Sequence, residues 1–173
     1  MGLPGNAAEI GVAEGNFSRD MLSWPTWFPK LYLVDRWKHA PQQKGDASMP
    51  QEWHDKNLTS VHKKVASVNA ARRVVFLRGD SADMALKVPH KSLALVYIDA
   101  DHSFAGVMAD IIAWLPKLVP GGVMAFHDYE NRAYGVKEAV TTYAHQNHLT
   151  VHPIPEDKPE DAGAYFYREG NLC

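Results

Sequence analysis

Two short stretches carry most of the side chains able to do chemistry. One is Asp99-Ala100-Asp101-His102-Ser103-Phe104; the other is Phe126-His127-Asp128-Tyr129. Carboxylates and imidazoles brought together suit a divalent cation, and an imidazole beside such a centre suits a general base near neutral pH. Asp99, His102, His127 and Asp128 therefore form the candidate chemical cluster. Plainer readings stand beside this one. His127 and Asp128 would point to opposite faces of a regular strand, so both reach one site only if the strand ends there. Otherwise Asp128 alone faces the site and His127 packs as a hydrogen-bonded core histidine. His102 could be a helix-start histidine without a catalytic role, and Asp101 reads as a helix N-terminal acid.

A second group is built to approach a ligand closely. In Glu9-Ile10-Gly11-Val12-Ala13-Glu14-Gly15-Asn16-Phe17-Ser18, small residues at 11, 13 and 15 permit a sharp turn ahead of a helix N-terminus. The spacing Gly-x-Ala-x-Gly is not the Gly-x-Gly-x-x-Gly of dinucleotide sites, and Glu14 suits a pyrophosphate poorly. Asp35, followed by Arg36, stands about twenty residues further on, where an acid can accept both hydroxyls of a ribose. It could equally be a solvated strand-end carboxylate. Gly79-Asp80-Ser81 follows a third apolar run, and Asp80 is also a good helix N-cap.

These residues need elements to position them. Short apolar runs predict strands over 8–12, 31–34, 74–77, 93–98, 123–126, 149–154 and 164–167. Between them lie helical patterns, the clearest being Phe104, Val107, Met108, Ile111, Ile112 and Leu115 at spacings of three and four. Pro120-Gly121-Gly122 is expected to end that helix and start the next strand. Further helices are expected over 51–68 and 134–146, with a loop over 40–50. Alternating strands and helices imply an α/β, Rossmann-like, doubly wound sheet of seven strands with helices on both faces. The connection over 155–163 is too short for a crossover helix, so the last strand in sequence must run antiparallel to six parallel ones. All the candidate groups then follow strands at one carboxyl edge, where such sheets bind ligands.

Composition narrows the function classes. The 173 residues make one domain, with a core over 8–168. Eighteen Lys+Arg against 20 Asp+Glu give a net charge of −2, which argues against broad binding to nucleic acid or an anionic membrane. The one cysteine, Cys173, excludes a CxxC motif and an intrachain disulfide. With no signal-peptide pattern and no long apolar run, a cytoplasmic protein is expected. His39, His54, His62, His90, His145 and His148 are expected at the surface, and Trp24, Trp27 and Trp37 in core or lid packing, with Trp37 bordering a ligand as the second choice.

The segments AEIGVAEGNFS and YIDADHSFAGVMADIIAWLPKLVPGGVMAFHDY resemble the class I S-adenosylmethionine-dependent methyltransferases, and within them the metal-dependent small-molecule O-methyltransferases. The group containing macrolide-sugar O-methyltransferases is similar, catechol and caffeoyl-CoA O-methyltransferases more distantly so. The resemblance runs from Ala8 to about Tyr167. It implies a donor site from Glu9, Gly11, Val12, Ala13, Gly15 and Ser18. Asp35 and Arg36 join it at the ribose, Asp80 and Ser81 at the adenine, and Asp99 where donor and metal meet. It implies metal ligation by Asp99, His127 and Asp128, with His102 as the base. His127 stands where the family usually has a carboxylate, which leaves Mg2+, Mn2+ or another ion open.

The expected enzyme transfers a methyl group from S-adenosylmethionine to a hydroxyl of a small acceptor with vicinal oxygens, such as a catechol or sugar diol. A cation lowers the hydroxyl pKa, a histidine takes the proton, and positioning does most of the rest. The alternatives are a metal-independent N- or macromolecule methyltransferase, a nicotinamide-dependent oxidoreductase that the glycine spacing disfavours, and a nucleoside-binding module without catalysis. The N-terminal helices that relatives use to enclose the acceptor are not expected here. The chain would then be a fragment, take an open-sided acceptor, or complete its pocket as a homo-oligomer.

Overall fold

In the computed structural model, residues 4–23, 28–42, 45–156, 158 and 162–170 are described. Trp24, Trp27 and Cys173 lie outside them. Strands β1 (Asn6–Ile10), β2 (Leu31–Asp35), β3 (Val74–Arg78), β4 (Leu93–Ile98), β5 (Leu118–Phe126), β6 (His152–Ile154) and β7 (Gly163–Tyr167) form one sheet in the order β3-β2-β1-β4-β5-β7-β6. The first five pair in parallel, and β7 is antiparallel to both β5 and β6. The seven-stranded plan with a single reversed strand, last in sequence, is therefore the one expected. The order reverses between β1 and β4, which opens a crevice at their carboxyl ends.

Period-two alternation divides the sheet between two cores. Ala7, Leu31 and Leu33 face Leu22 of α1 (Asn16–Ser23) and Val61 and Val65 of α2 (Gln51–Ser67). Ala8, Ile10, Val34, Val96 and Ile98 face the other way. There they meet α3 (Ser81–Ala85), α4 (Phe104–Trp114) and α5 (Val136–Gln146), through Met84, Val107, Ile111, Trp114, Ala139 and Val140 among others. Both faces are covered, as a parallel sheet requires. Among the described residues, no helix is long and apolar enough to cross a membrane.

Several boundaries differ from expectation. β1 stops at Ile10 rather than at 12 because Gly11 turns into the left-handed region at φ +86°. The helix before β5 is ended by Pro116, not by Pro120-Gly121-Gly122: α4 closes at Trp114, and a 3-10 turn over Leu115–Lys117 leads directly into β5. Pro120-Gly121-Gly122 lies inside β5, where Gly121 has φ +79° and its N–H donates to the Arg168 carbonyl. β6 begins only at His152, because the Leu149 N–H is still tied to the Ala144 carbonyl at the end of α5. The expected loop over 40–50 contains a short 3-10 turn, Gly45–Ser48. His54 is buried on α2 rather than exposed, and the His62 ring stacks on Phe76 at 4.3 Å.

Candidate active site

The glycine turn is held from beneath. A Cβ on Gly11 would lie 1.9 Å from the Asp99 carbonyl oxygen, so only glycine lets β1 and β4 leave the sheet this close together. Gly15, at φ +78°, packs against Val61 of α2. Glu9 is buried and accepts a hydrogen bond from the Ser18 hydroxyl, joining β1 to the first turn of α1. Burial pushes the Glu9 carboxyl up to about 8, against the Ser18 bond and with help from the charges of Asp99 and Asp35. Both side chains are buried beside the glycine turn, bonded to each other.

Asp35 does more than the sequence indicates. Its Oδ2 accepts from the Val12 and Ala13 N–H groups, each at 2.9 Å, and its Oδ1 accepts from the Trp37 N–H at 2.7 Å. A carboxylate offers about four lone-pair sites, so capacity for a ribose hydroxyl remains. The turn is closed from its other side by the buried Trp37, whose indole N–H donates to the Ala13 carbonyl at 2.9 Å. Packing is therefore the role the structure gives Trp37.

The third strand end is arranged differently. Asp80 occupies the N-cap position of α3 without making a side-chain cap bond; it is exposed and lies 3.7 Å from the Arg36 guanidinium. It faces outward, where a ligand could meet it. The Ser81 hydroxyl is turned inward, accepting from the Trp114 indole at 2.8 Å and bonded to Asp110 of α4. That hydroxyl pins the five-residue α3 to α4.

At the chemical end, the four candidate side chains meet. β5 ends at Phe126, and Asp128 adopts φ +55°, which swings His127 and Asp128 out of strand alternation. His102 Nε2 lies 3.1 Å from Asp99 Oδ1 and 3.1 Å from Asp128 Oδ2. His127 Nδ1 lies 3.1 Å from Asp128 Oδ2 and 3.7 Å from Asp99 Oδ1. Ligand atoms of Asp99, His102 and Asp128 all fall within 4.8 Å of one another. Burial pulls the His102 imidazole pKa down, but the hydrogen bond and charge of Asp99, with Asp128 and Asp101, more than offset this and leave it raised. Asp101 faces away and accepts from the Ser103 N–H at 2.8 Å, while Ser103 caps α4 through Gly106. It is the helix-start acid expected.

The donor set fits a divalent cation on one further observation. His127 Nδ1 is buried and has no hydrogen-bond partner, although two carboxylates stand beside it. A buried polar nitrogen in that state calls for an explanation, and a coordinated ion is one.

Three aromatic residues escaped sequence reasoning. Tyr97 lies opposite Glu9 in the β1–β4 register, stacks on Phe17 at 4.1 Å and presents its ring at 65° to His127. Burial, with the charges of Asp99 and Glu9, raises its phenol pKa far above the usual value. Tyr134 stacks on His102 at 4.4 Å and 17°. The available signal was strand alternation, since Tyr97 stands two residues before Asp99 and shares its face.

Residues 8–129, well over half of the chain, match the family model described as Methyltransferase domain. Among solved structures, the O-methyltransferase NovP aligns at TM-score 0.71 and 22% identity, covering 96% of this chain and 73% of NovP. The calicheamicin methyltransferase CalS11 aligns at TM-score 0.68 and 19% identity, covering 95% and 72%. SMU.1697c of Streptococcus mutans, whose structure holds SAH, aligns at 0.67 and 15%, covering 97% and 90%. Likenesses at these identities bear on the fold. The uncharacterized protein y4gI of Sinorhizobium fredii is 40% identical over 48 residues, 28% of this chain, and the chain spans only 5% of that relative's length. With this sheet order, this glycine turn and that family match, the chain belongs to the methyltransferase-domain family and has the class I fold of S-adenosylmethionine-dependent enzymes.

Proposed function

We propose that this chain transfers a methyl group from S-adenosylmethionine to a hydroxyl of a small molecule carrying two neighbouring oxygens. The observation that carries the reading is the meeting of Asp99, His102, His127 and Asp128 at the sheet edge, next to the turn at Gly11. The O-methyltransferase NovP and the calicheamicin methyltransferase CalS11 lend support through the shared fold.

Asp99, His127 and Asp128 would hold a divalent cation, which supplies positive charge that lowers the pKa of a nearby hydroxyl. Asp35, Asp80 and the turn Gly11 to Gly15 hold the donor. His102 Nε2, 3.1 Å from both Asp99 Oδ1 and Asp128 Oδ2, takes the acceptor proton. The acceptor oxygen forms its bond to the methyl carbon as that carbon's bond to sulfur breaks, leaving the thioether. Tyr97 stays protonated throughout and does not compete for the proton. Tyr134 keeps the His102 ring from rotating away.

The test is calorimetric titration with S-adenosylhomocysteine, with and without Mn2+ or Mg2+, on the wild-type chain and on Asp99→Ala. Nucleoside binding in both proteins, with an ion response in the wild type alone, is expected. Failure to bind the nucleoside in every condition would refute the donor site. Methyl transfer indifferent to chelation would instead favour a metal-independent enzyme.

A further inference from the structure

Resting on the donor site of the reading just given, we propose that Lys64 is a positioning residue for S-adenosylmethionine. Its ammonium clasps the outer half of the glycine turn, and donor affinity depends on that clasp. Asp35 braces the inner half, through the Val12 and Ala13 N–H groups. The outer half has a brace of its own. Lys64 Nζ donates to the Glu14 carbonyl at 3.0 Å and to Asn16 Oδ1 at 2.6 Å, and lies 3.9 Å from Glu14 Oε2. Asn16 Nδ2 in turn donates to Glu14 Oε1. One ammonium thus ties a main-chain oxygen of the turn to the first residue of α1, on either side of Gly15.

Helix α2 brings the ammonium there. Val61 stands three residues before Lys64, on the same helix face, and packs on the turn. A Cβ on Gly15 would lie 3.0 Å from Val61 Cγ2, so a side chain at 15 would hold α2 off and carry Lys64 out of reach. Lys63, next in the chain, is exposed and makes no hydrogen bond or ion pair among the described residues. The clasp lies at the surface, where such pairs add little to stability. Its effect falls on binding instead. An outer turn ordered in advance spares the donor the cost of fixing it. Asp35 already braces the ribose side, so the clasp serves the part of the donor beyond the ribose, its amino-acid end.

The experiment is calorimetry of the whole chain with S-adenosylhomocysteine and with methylthioadenosine, which lacks the amino-acid end. Lys64→Met should bind S-adenosylhomocysteine about five- to tenfold more weakly, the cost of ordering one or two long side chains on binding. Its affinity for methylthioadenosine should stay within about twofold of the wild type, and its urea midpoint should not move. Lys64→Arg should recover most of the loss. Lys63→Met removes the same charge one residue away and should match the wild type with both ligands. Adding Asn16→Ala to Lys64→Met should cost little more than Lys64→Met alone, because both break one clasp. Unchanged S-adenosylhomocysteine affinity in Lys64→Met overturns the proposal, as does an equal loss for both ligands. An equal loss in Lys63→Met overturns it too, by showing a long-range effect of charge. A wild type that binds neither ligand refutes the donor site itself, and the clasp falls with it.

Discussion

Asp35 is the residue whose removal should cost most for the atoms deleted. Its two oxygens accept three main-chain N–H groups, from Val12, Ala13 and Trp37, at 2.9, 2.9 and 2.7 Å. A hydrogen bond to a charged group contributes about 1.5–3 kcal/mol, so three set a ceiling of roughly 5–9 kcal/mol. The carboxylate is only half-buried, and water can reclaim part of the loss once the side chain is gone. Asp35→Ala should therefore destabilise by about 3–5 kcal/mol, which at roughly 2–4 °C per kcal/mol is a fall in Tm of about 10 °C. Asp35→Asn keeps one acceptor oxygen but turns an amide NH2 toward a main-chain N–H, and about half that loss is expected. Urea unfolding followed by circular dichroism measures the stability. Calorimetry with S-adenosylhomocysteine on the folded fraction measures the turn, and affinity should fall with stability because the same bonds shape both. A loss below about 1 kcal/mol in Asp35→Ala, with native nucleoside affinity, would show that the turn holds itself and that this bracing is incidental.

Two further outcomes are expected. Gly11→Ala must place a Cβ 1.9 Å from the Asp99 carbonyl at φ +86°, whereas Gly45→Ala meets nothing within 4 Å at a similarly positive φ of +64°. The first should lose more than about 3 kcal/mol in urea unfolding and the second about 1 kcal/mol; equal losses would mean that β1 and β4 can part cheaply. Glu9, pushed up to about 8 by burial, keeps its proton in the folded chain while the unfolded chain releases it near 4.5, so stability falls as pH rises between those values. Glu9→Gln retains an acceptor for Ser18 and should flatten that fall, gaining on the order of a few kcal/mol at neutral pH; an unchanged slope of stability against pH would refute it.

Much of the fold was legible because it rests on repetition. The strands carry period-two burial and α4 carries its spacing of three and four, so the alternation of elements, the two covered faces and the single reversed strand follow from pattern. The chemical residues were legible for a related reason: Asp35, Asp80, Asp99 and Asp128 all stand just past apolar runs, where a carboxylate has no place in the core. Roles were less legible than positions. Asp35 and Ser81 look alike in sequence, each a polar residue after a strand. Yet one points its oxygens at the turn, and the other turns its hydroxyl to Trp114, because what lies opposite is the turn after β1 in one case and α4 in the other. His54 reads as a surface residue on a polar helix face and is buried, since periodicity does not report what packs over a helix.

The least legible feature is the one on which the chemistry depends. Ala13, Trp37 and Asp128 all lie at positive φ, a region that sequence marks only when glycine fills it. Each sits just past a strand on the rim, and each reverses the chain there: Ala13 within the glycine turn, Trp37 after Asp35, Asp128 beside His127. Left-handed backbone at such residues costs of order 1–3 kcal/mol and persists only where tertiary contacts over-determine it. Those contacts are present for Ala13 and Trp37, which share the Asp35 carboxylate and the indole bond. Asp128 has the weaker support, since its carbonyl accepts from the Asn131 N–H and its carboxylate is gathered by His102. The strain at Asp128 thus has its return in the site itself: without the reversal, strand alternation would send His127 and Asp128 to opposite faces and leave Asp99 and His102 with half a cluster.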